Sequence, residues 1–122
     1  VDETLAGLYG TIIVEPSQED EYSVRSATVY AGGIIDRSPC GTGTAAQLAC
    51  RANDGQMGVG DTFFNESIIG SNFSGRIVMS ETVGEVPAVI VEISGRGSIV
   101  GMSQLLFDPA DPYRDGFVLG HV

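Results

Sequence analysis

Apolar and polar positions alternate along most of this chain in short, β-like stretches. Residues 7–14 (Gly-Leu-Tyr-Gly-Thr-Ile-Ile-Val) form an apolar, β-branched run that predicts a strand. Residues 16–21 are polar and acidic and predict a loop. Over 22–30, Val24, Ser26, Thr28 and Tyr30 fall on one face and Ser23, Arg25, Ala27 and Val29 on the other, the period of a second strand. Gly32-Gly33 turns the chain into 36–44, which follows neither period. Residues 45–53 (Ala-Ala-Gln-Leu-Ala-Cys-Arg-Ala-Asn) are rich in helix formers, and Gly55 stands where a C-terminal glycine cap belongs. This predicts one helix, over about 42–53. Beyond it, 62–64, 66–69, 75–79, 88–94 and 98–107 read as short strands separated by Gly, Asn or Pro turns. Such spacing predicts an antiparallel sheet or barrel rather than βαβ units.

The helix is unusual in its small residues. Ala45, Ala46, Ala49, Cys50 and Ala52 are spread around the circumference, where a surface helix would show one apolar stripe. The expectation is an α+β fold whose helix is enclosed by β structure, with Cys50 as a small core residue. No internal repeat or boundary divides residues 1–122, so they form one domain.

Composition narrows the partners. Six Lys plus Arg against sixteen Asp plus Glu give a net charge of −10, which argues against a nucleic-acid backbone or an anionic membrane surface. Apolar runs such as 88–91 fall far short of the roughly 20 residues of a membrane helix. No basic start followed by an apolar stretch marks a secretory signal, so the expected location is cytoplasmic. All six basic residues are Arg and Lys is absent. Strong acidity of this kind suits high salt, where the Debye length shrinks to about 3 Å at 1 M and self-repulsion is tolerated. The alternative is a chance loss of Lys in a short acidic chain.

Chemistry concentrates at 36–44. A cysteine stands just before the helix, and Gly41-Thr42-Gly43-Thr44 place backbone N–H groups at its start. A helix N-terminus has unsatisfied donors and about half a positive charge, so it can hold a carboxylate and favours a thiolate over a thiol. Pro39 fixes the turn that aims Cys40, and Asp36 can accept from a cationic amine. Base, carboxylate cradle and ammonium acceptor together describe an amino-acid site. The bland alternative is a glycine-rich helix start beside a buried structural cysteine, and the residues alone leave both open.

The segment Asp36-Arg37-Ser38-Pro39-Cys40-Gly41-Thr42-Gly43-Thr44-Ala45-Ala46 resembles the second catalytic motif of the proline racemase family, which includes hydroxyproline epimerases and trans-3-hydroxyproline dehydratases. The likeness continues in 8–11, 65–71, 73–76 and 106–117. It implies a diaminopimelate-epimerase-like fold of β-barrel-type halves, each around a central helix. It implies that Cys40 is one of two opposed thiol bases acting without pyridoxal phosphate or metal. Asp36 would receive the substrate ammonium, the N–H groups of Gly41 and Thr42 its carboxylate, and Tyr30 would lie against the pyrrolidine ring. Cys40 favours a racemase or epimerase, because a dehydratase of this family would carry Thr there. Within those two, the absence of His near 9–11 favours proline racemase, while the Tyr30 hydroxyl pulls toward 4-hydroxyproline 2-epimerase; the balance favours proline racemase, with the epimerase as the alternative.

The family's first cysteine belongs to a Cys-Gly-His-type motif that this sequence lacks. The chain therefore resembles a C-terminal portion holding half a site, inactive alone and expected to pair with an N-terminal half or with itself. A non-catalytic module that binds proline-like ligands or a partner chain is the alternative.

Other candidates carry less. Cys50 follows Cys40 by most of a helix, roughly 12–15 Å at 1.5 Å per residue, too far for a disulfide. His121 is the sole histidine, which leaves a metal site or a histidine-based triad without support. Asp108, Asp111 and Asp115 fit turns better than calcium. Arg37 is expected to pair with an acidic neighbour. Asn65-Glu66-Ser67 and Asn72-Phe73-Ser74 are sequons that matter only in an exported chain.

Overall fold

The computed structural model describes residues 7–17 and 23–119. Its elements are β1 (Gly10–Pro16), β2 (Ser23–Tyr30), α1 (Gly41–Asn53), β3 (Thr62–Ser67), β4 (Asn72–Val83) and β5 (Val86–Gly95). They form a mixed five-stranded sheet in the order β1-β2-β3-β4-β5 plus one helix. Residues 18–21 of the expected acidic loop, residue 22 of the expected second strand, and His121 lie outside the described residues.

The alternation in β2 is realised as predicted: Val24, Ser26 and Thr28 are buried and Arg25 is exposed. The expectation of an antiparallel sheet without βαβ units is corrected at one place. β2 and β3 run parallel, with Ser23 opposite Phe64 and Ser26 opposite Ser67. A parallel pair needs a long crossover, and α1 within 31–61 supplies it, so β2-α1-β3 is a βαβ unit. The other three pairings are antiparallel.

Strand bounds shift as well. The first strand begins at Gly10 rather than residue 7, and the pieces 62–64 and 66–69 merge into β3, which ends at Ser67. The run 98–107 forms no strand; Ile99 and Leu106 there are more than nine-tenths exposed. Its apolar residues have no neighbouring strand among the described residues, and an unpaired strand has no ladder to hold it.

The core is small: Val24, Leu48, Met57, Phe63 and Ile77, flanked by Ala52, Val89 and Val91. Burying each large member contributes about 1.5–3 kcal/mol. Leu48 enters because β4 has glycine at 75, where a Cβ would stand 2.6 Å from Leu48 Cδ1. The Arg51 guanidinium lies 4.9 Å from the Phe63 ring centroid and closes the opposite flank.

Enclosure of the helix is also corrected for the described residues. Gly43, Thr44 and Leu48 are buried, while Ala46 and Ala49 face outward. Cys50 is exposed, not a core residue. Only one sheet face covers α1 here, so only one stripe is buried.

Candidate active site

The site is built where β2 ends, the loop after it returns, and α1 begins. Its foundation is Asn65 on β3, which is fully buried. Its Oδ1 accepts from Ser26 Oγ at 2.7 Å, and its Nδ2 donates to the Pro39 carbonyl at 3.2 Å and to Thr44 Oγ1 at 3.0 Å. One amide thus ties β2, the pre-helix turn and the first helical turn together.

On this base Cys40 takes the N-cap position with φ 65° and ψ 116°, the one non-glycine residue with positive φ among the described residues. Such backbone costs of order 1–3 kcal/mol and persists only where neighbours determine it. They do so here. The Cys40 N–H donates to Ser38 Oγ at 3.0 Å, and its carbonyl accepts from the Thr44 N–H at 2.9 Å and Thr44 Oγ1 at 2.7 Å. The side chain then turns back over the helix start, where Sγ accepts from the Gly43 N–H at 3.3 Å. Glycine at 43 leaves room for this approach: a Cβ would stand 2.7 Å from Ile12 Cδ1 and 3.1 Å from Cys40 Sγ, so the sulfur and the Ile12 side chain would have to shift.

The sulfur has further neighbours. Tyr30 Oη lies 3.3 Å away and Thr42 Oγ1 3.6 Å. Thr28 also faces it; its Oγ1 is buried with no other partner, and its hydroxyl directed at the sulfur favours the thiolate. Burial pushes the Cys40 thiol up, but Tyr30, Thr42, the Gly43 N–H and Thr28 together outweigh it and hold the thiol below its ordinary value.

Asp36 is half-buried beside this group. Its Oδ1 accepts from the Ser38 N–H at 2.8 Å and its Oδ2 from Tyr30 Oη at 3.2 Å. Partial burial opposes the charge, yet Ser38, Tyr30 and neighbouring Arg37 lower its pKa below the usual carboxylate value. Arg37 thus acts on Asp36 through charge, and no ion pair of its own appears among the described residues. Tyr30, about one-third exposed, has its phenol pushed up to about 12, first by its hydrogen bond to Cys40, then by desolvation and the negative charge of Cys40 and Asp36.

The five residues singled out from the sequence, Tyr30, Asp36, Cys40, Gly41 and Thr42, therefore meet at one place. Gly41 and Thr42 are exposed, and as the first two helical residues their N–H groups have no intrahelical acceptor. An anion arriving there meets two backbone donors, a thiol disposed to ionise and an oriented carboxylate. Sequence reasoning missed Asn65, Ser38, Thr44 and Thr28 as parts of the site. Thr28 was within reach, since it shares the Tyr30 face of β2. Asn65 stood inside a sequon, but its complete burial makes it a structural amide.

The remaining candidates lie apart. Both cysteines are free. Asp108 Oδ1 accepts from the Ala110 N–H and Asp111 Oδ1 from the Tyr113 N–H, both at 2.9 Å, so these carboxylates close their own turns. No helix among the described residues is long and apolar enough to cross a membrane.

The chain is similar to known proteins along most of its length. Residues 1–118 match the family model described as proline racemase. The 4-hydroxyproline 2-epimerase of Ancylobacter novellus is 46% identical over 99 residues, which cover 81% of this chain and 30% of that protein. The trans-3-hydroxy-L-proline dehydratase of Bacillus thuringiensis is 34% identical over 120 residues, 98% of this chain and 36% of that one. The chain thus spans about a third of the length of these curated relatives. A hydroxyproline epimerase from Agrobacterium vitis, solved with bound trans-4-hydroxy-L-proline, superposes with a TM-score of 0.76 at 39% identity, covering 93% of this chain and 32% of that structure. The five-stranded mixed sheet, the cysteine-capped helix and the match over residues 1–118 lead to one conclusion: the chain belongs to the proline racemase family.

Proposed function

We propose that this chain supplies one catalytic thiol and the substrate cradle of a cofactor-independent racemase or epimerase acting on proline or hydroxyproline. The observation that carries the reading is Cys40 Sγ at the start of α1, held by the Gly43 N–H at 3.3 Å and linked through Tyr30 Oη to the Asp36 carboxylate. Asp36 receives the substrate ammonium, and the N–H groups of Gly41 and Thr42 receive its carboxylate.

The Cys40 thiolate then takes the Cα proton. The electron pair left on Cα spreads into the carboxylate, where the two N–H donors oppose the growing charge. An opposed thiol returns a proton to the other face, and the configuration inverts with no net change in atoms. That second thiol belongs to a complementary half. Supporting this are the open sheet, the single covered face of α1, and a length of about a third of the relatives. Closure of the sheet into a barrel-type half around α1 belongs to the same assembly. Alone, the chain binds but does not turn over.

Between the two substrates, the names of the relatives favour hydroxyproline. Tyr30 adds nothing to that preference, because its hydroxyl is already engaged by Cys40 and Asp36 rather than open to a ring hydroxyl. A non-catalytic binding module would keep the cradle but have no use for a thiol held below its ordinary pKa.

Alkylation tests the reading. Because Cys50 is exposed and would react as well, the chain carries Cys50→Ser. A planar pyrrole carboxylate should slow alkylation of Cys40 in a saturable way. An unchanged rate at every concentration would remove the amino-acid site.

A further inference from the structure

The Tyr30 hydroxyl stands between the two groups that the proposed chemistry uses in different charge states. It lies 3.3 Å from Cys40 Sγ and 3.2 Å from Asp36 Oδ2. A phenol has one proton to donate, so it cannot serve both at once. While Cys40 is a thiol, its S–H points to the phenol oxygen and the phenol donates to Asp36. Once Cys40 is a thiolate it offers only an acceptor; both acceptors are then anions, but 3.3 Å is short for a bond to sulfur while 3.2 Å is long for a phenol–carboxylate bond, so the proton turns to sulfur. Asp36 Oδ2 is then released, while Oδ1 stays fixed by the Ser38 N–H at 2.8 Å.

We propose that Tyr30 is a positioning residue whose single hydroxyl proton alternates between Asp36 Oδ2 and Cys40 Sγ, so that ionisation of the thiol frees the carboxylate oxygen for the substrate ammonium. The inference rests on the reading of Cys40 as base and Asp36 as ammonium acceptor. Its consequence is that the base and its binding partner become ready together. A cationic substrate meets a free carboxylate when the thiolate is present.

The surroundings leave the phenol this role. From β2 the sulfur faces Tyr30 and Thr28 and from α1 Thr42 and the Gly43 N–H, while Asp36, with Arg37 beside it, faces the Tyr30 hydroxyl from the loop. The first turn of α1 carries no acidic residue, and β1 contributes the apolar Ile12 near Gly43. Asp36 is therefore the charged side chain that competes with the sulfur for the phenol proton among the described residues. With its phenol pushed up to about 12, Tyr30 keeps that proton while the thiol titrates.

A two-by-two set of variants in the Cys50→Ser chain tests this: parent, Tyr30→Phe, Asp36→Asn and both. The readout is the midpoint of the Cys40 alkylation rate against pH. Tyr30→Phe keeps the ring of a partly exposed residue and removes only the hydroxyl. It should raise the midpoint by about one unit, a tenfold loss of thiolate at a given lower pH. Asp36→Asn should lower the midpoint through loss of a charge and through release of the phenol to sulfur. Only the first effect survives in the double variant, so the lowering there should be smaller. An unchanged midpoint in Tyr30→Phe overturns the proposal. So does an equal effect of Asp36→Asn in both backgrounds, which would make Tyr30 a simple donor with no coupling. Neither result depends on turnover or on ligand protection, so failure here is separable from failure of the functional reading.

Discussion

Asn65 Nδ2 donates at 3.2 Å to the carbonyl of Pro39, the residue that delivers the chain into the strained cysteine. The bond spans 26 residues and joins the middle of β3 to the turn before α1. It makes the geometry of a candidate base depend on a buried amide outside its own loop.

Asn65→Ala should therefore act on stability and on the thiol together. It strands Ser26 Oγ in a buried setting and leaves the Pro39 carbonyl only the long 3.4 Å bond from Thr44 Oγ1, at a cost of about 1–3 kcal/mol. Thermal unfolding should register that loss, and the Cys40 alkylation midpoint should rise as the turn loosens. A stability loss with an unmoved midpoint would show that the helix start holds its geometry unaided.

How much of this was legible in the sequence depends on range. The β2 alternation, the helix and its C-terminal glycine, and the group at 36–44 are written in neighbours a few residues apart, and they appear as read. The parallel register of β2 on β3 is not written locally. It arises because α1 carries the chain across one sheet face, and only then do Ser26 and Asn65 meet. Cys50 misled for a related reason: a small residue on a helix is consistent with burial, but only a second covering layer would bury it. The run 98–107 has strand composition without a partner strand, and composition cannot supply the partner.

The packing of α1 gives a second prediction. Leu48 is fully buried against Gly75, which has no side chain to fill a vacated space. Leu48→Ala should destabilise by about 2–5 kcal/mol in chemical denaturation. A loss well under 1 kcal/mol would mean that α1 docks on the sheet more loosely than the core indicates.

The pH dependence of stability has two limbs with worked signs. Asp36 has a folded value below its ordinary 3.8, so its contribution is complete above that value and is lost as pH falls through the folded one. Tyr30 is raised to about 12 from 10.0, so the unfolded chain loses the phenol proton first and stability falls as pH rises across that interval. Asp36→Asn should flatten the acid limb and Tyr30→Phe the alkaline one, in melts across pH. Limbs unchanged in both variants would detach these groups from folding.

Salt should stabilise. The chain carries −10, and the ion pairs among the described residues are surface pairs such as Arg25–Glu66 at 2.9 Å, each worth about 0–1 kcal/mol and weakened by screening. Relief of net repulsion exceeds that loss, so the melting temperature should climb between about 0.1 M and about 2 M salt. A flat or falling curve would remove the case for adaptation to high salt.

The central claim, that Cys40 is one of two opposed bases, is tested most directly by exchange of the substrate Cα proton in deuterated water. Proline and trans-4-hydroxyproline would each be incubated with this chain, with the chain plus an N-terminal half carrying the family's first cysteine, and with that combination bearing Cys40→Ser. The account predicts Cα deuteration and inversion only in the intact combination, none from the chain alone and none after Cys40→Ser. Inversion by the pure chain, or exchange that survives Cys40→Ser, would contradict it.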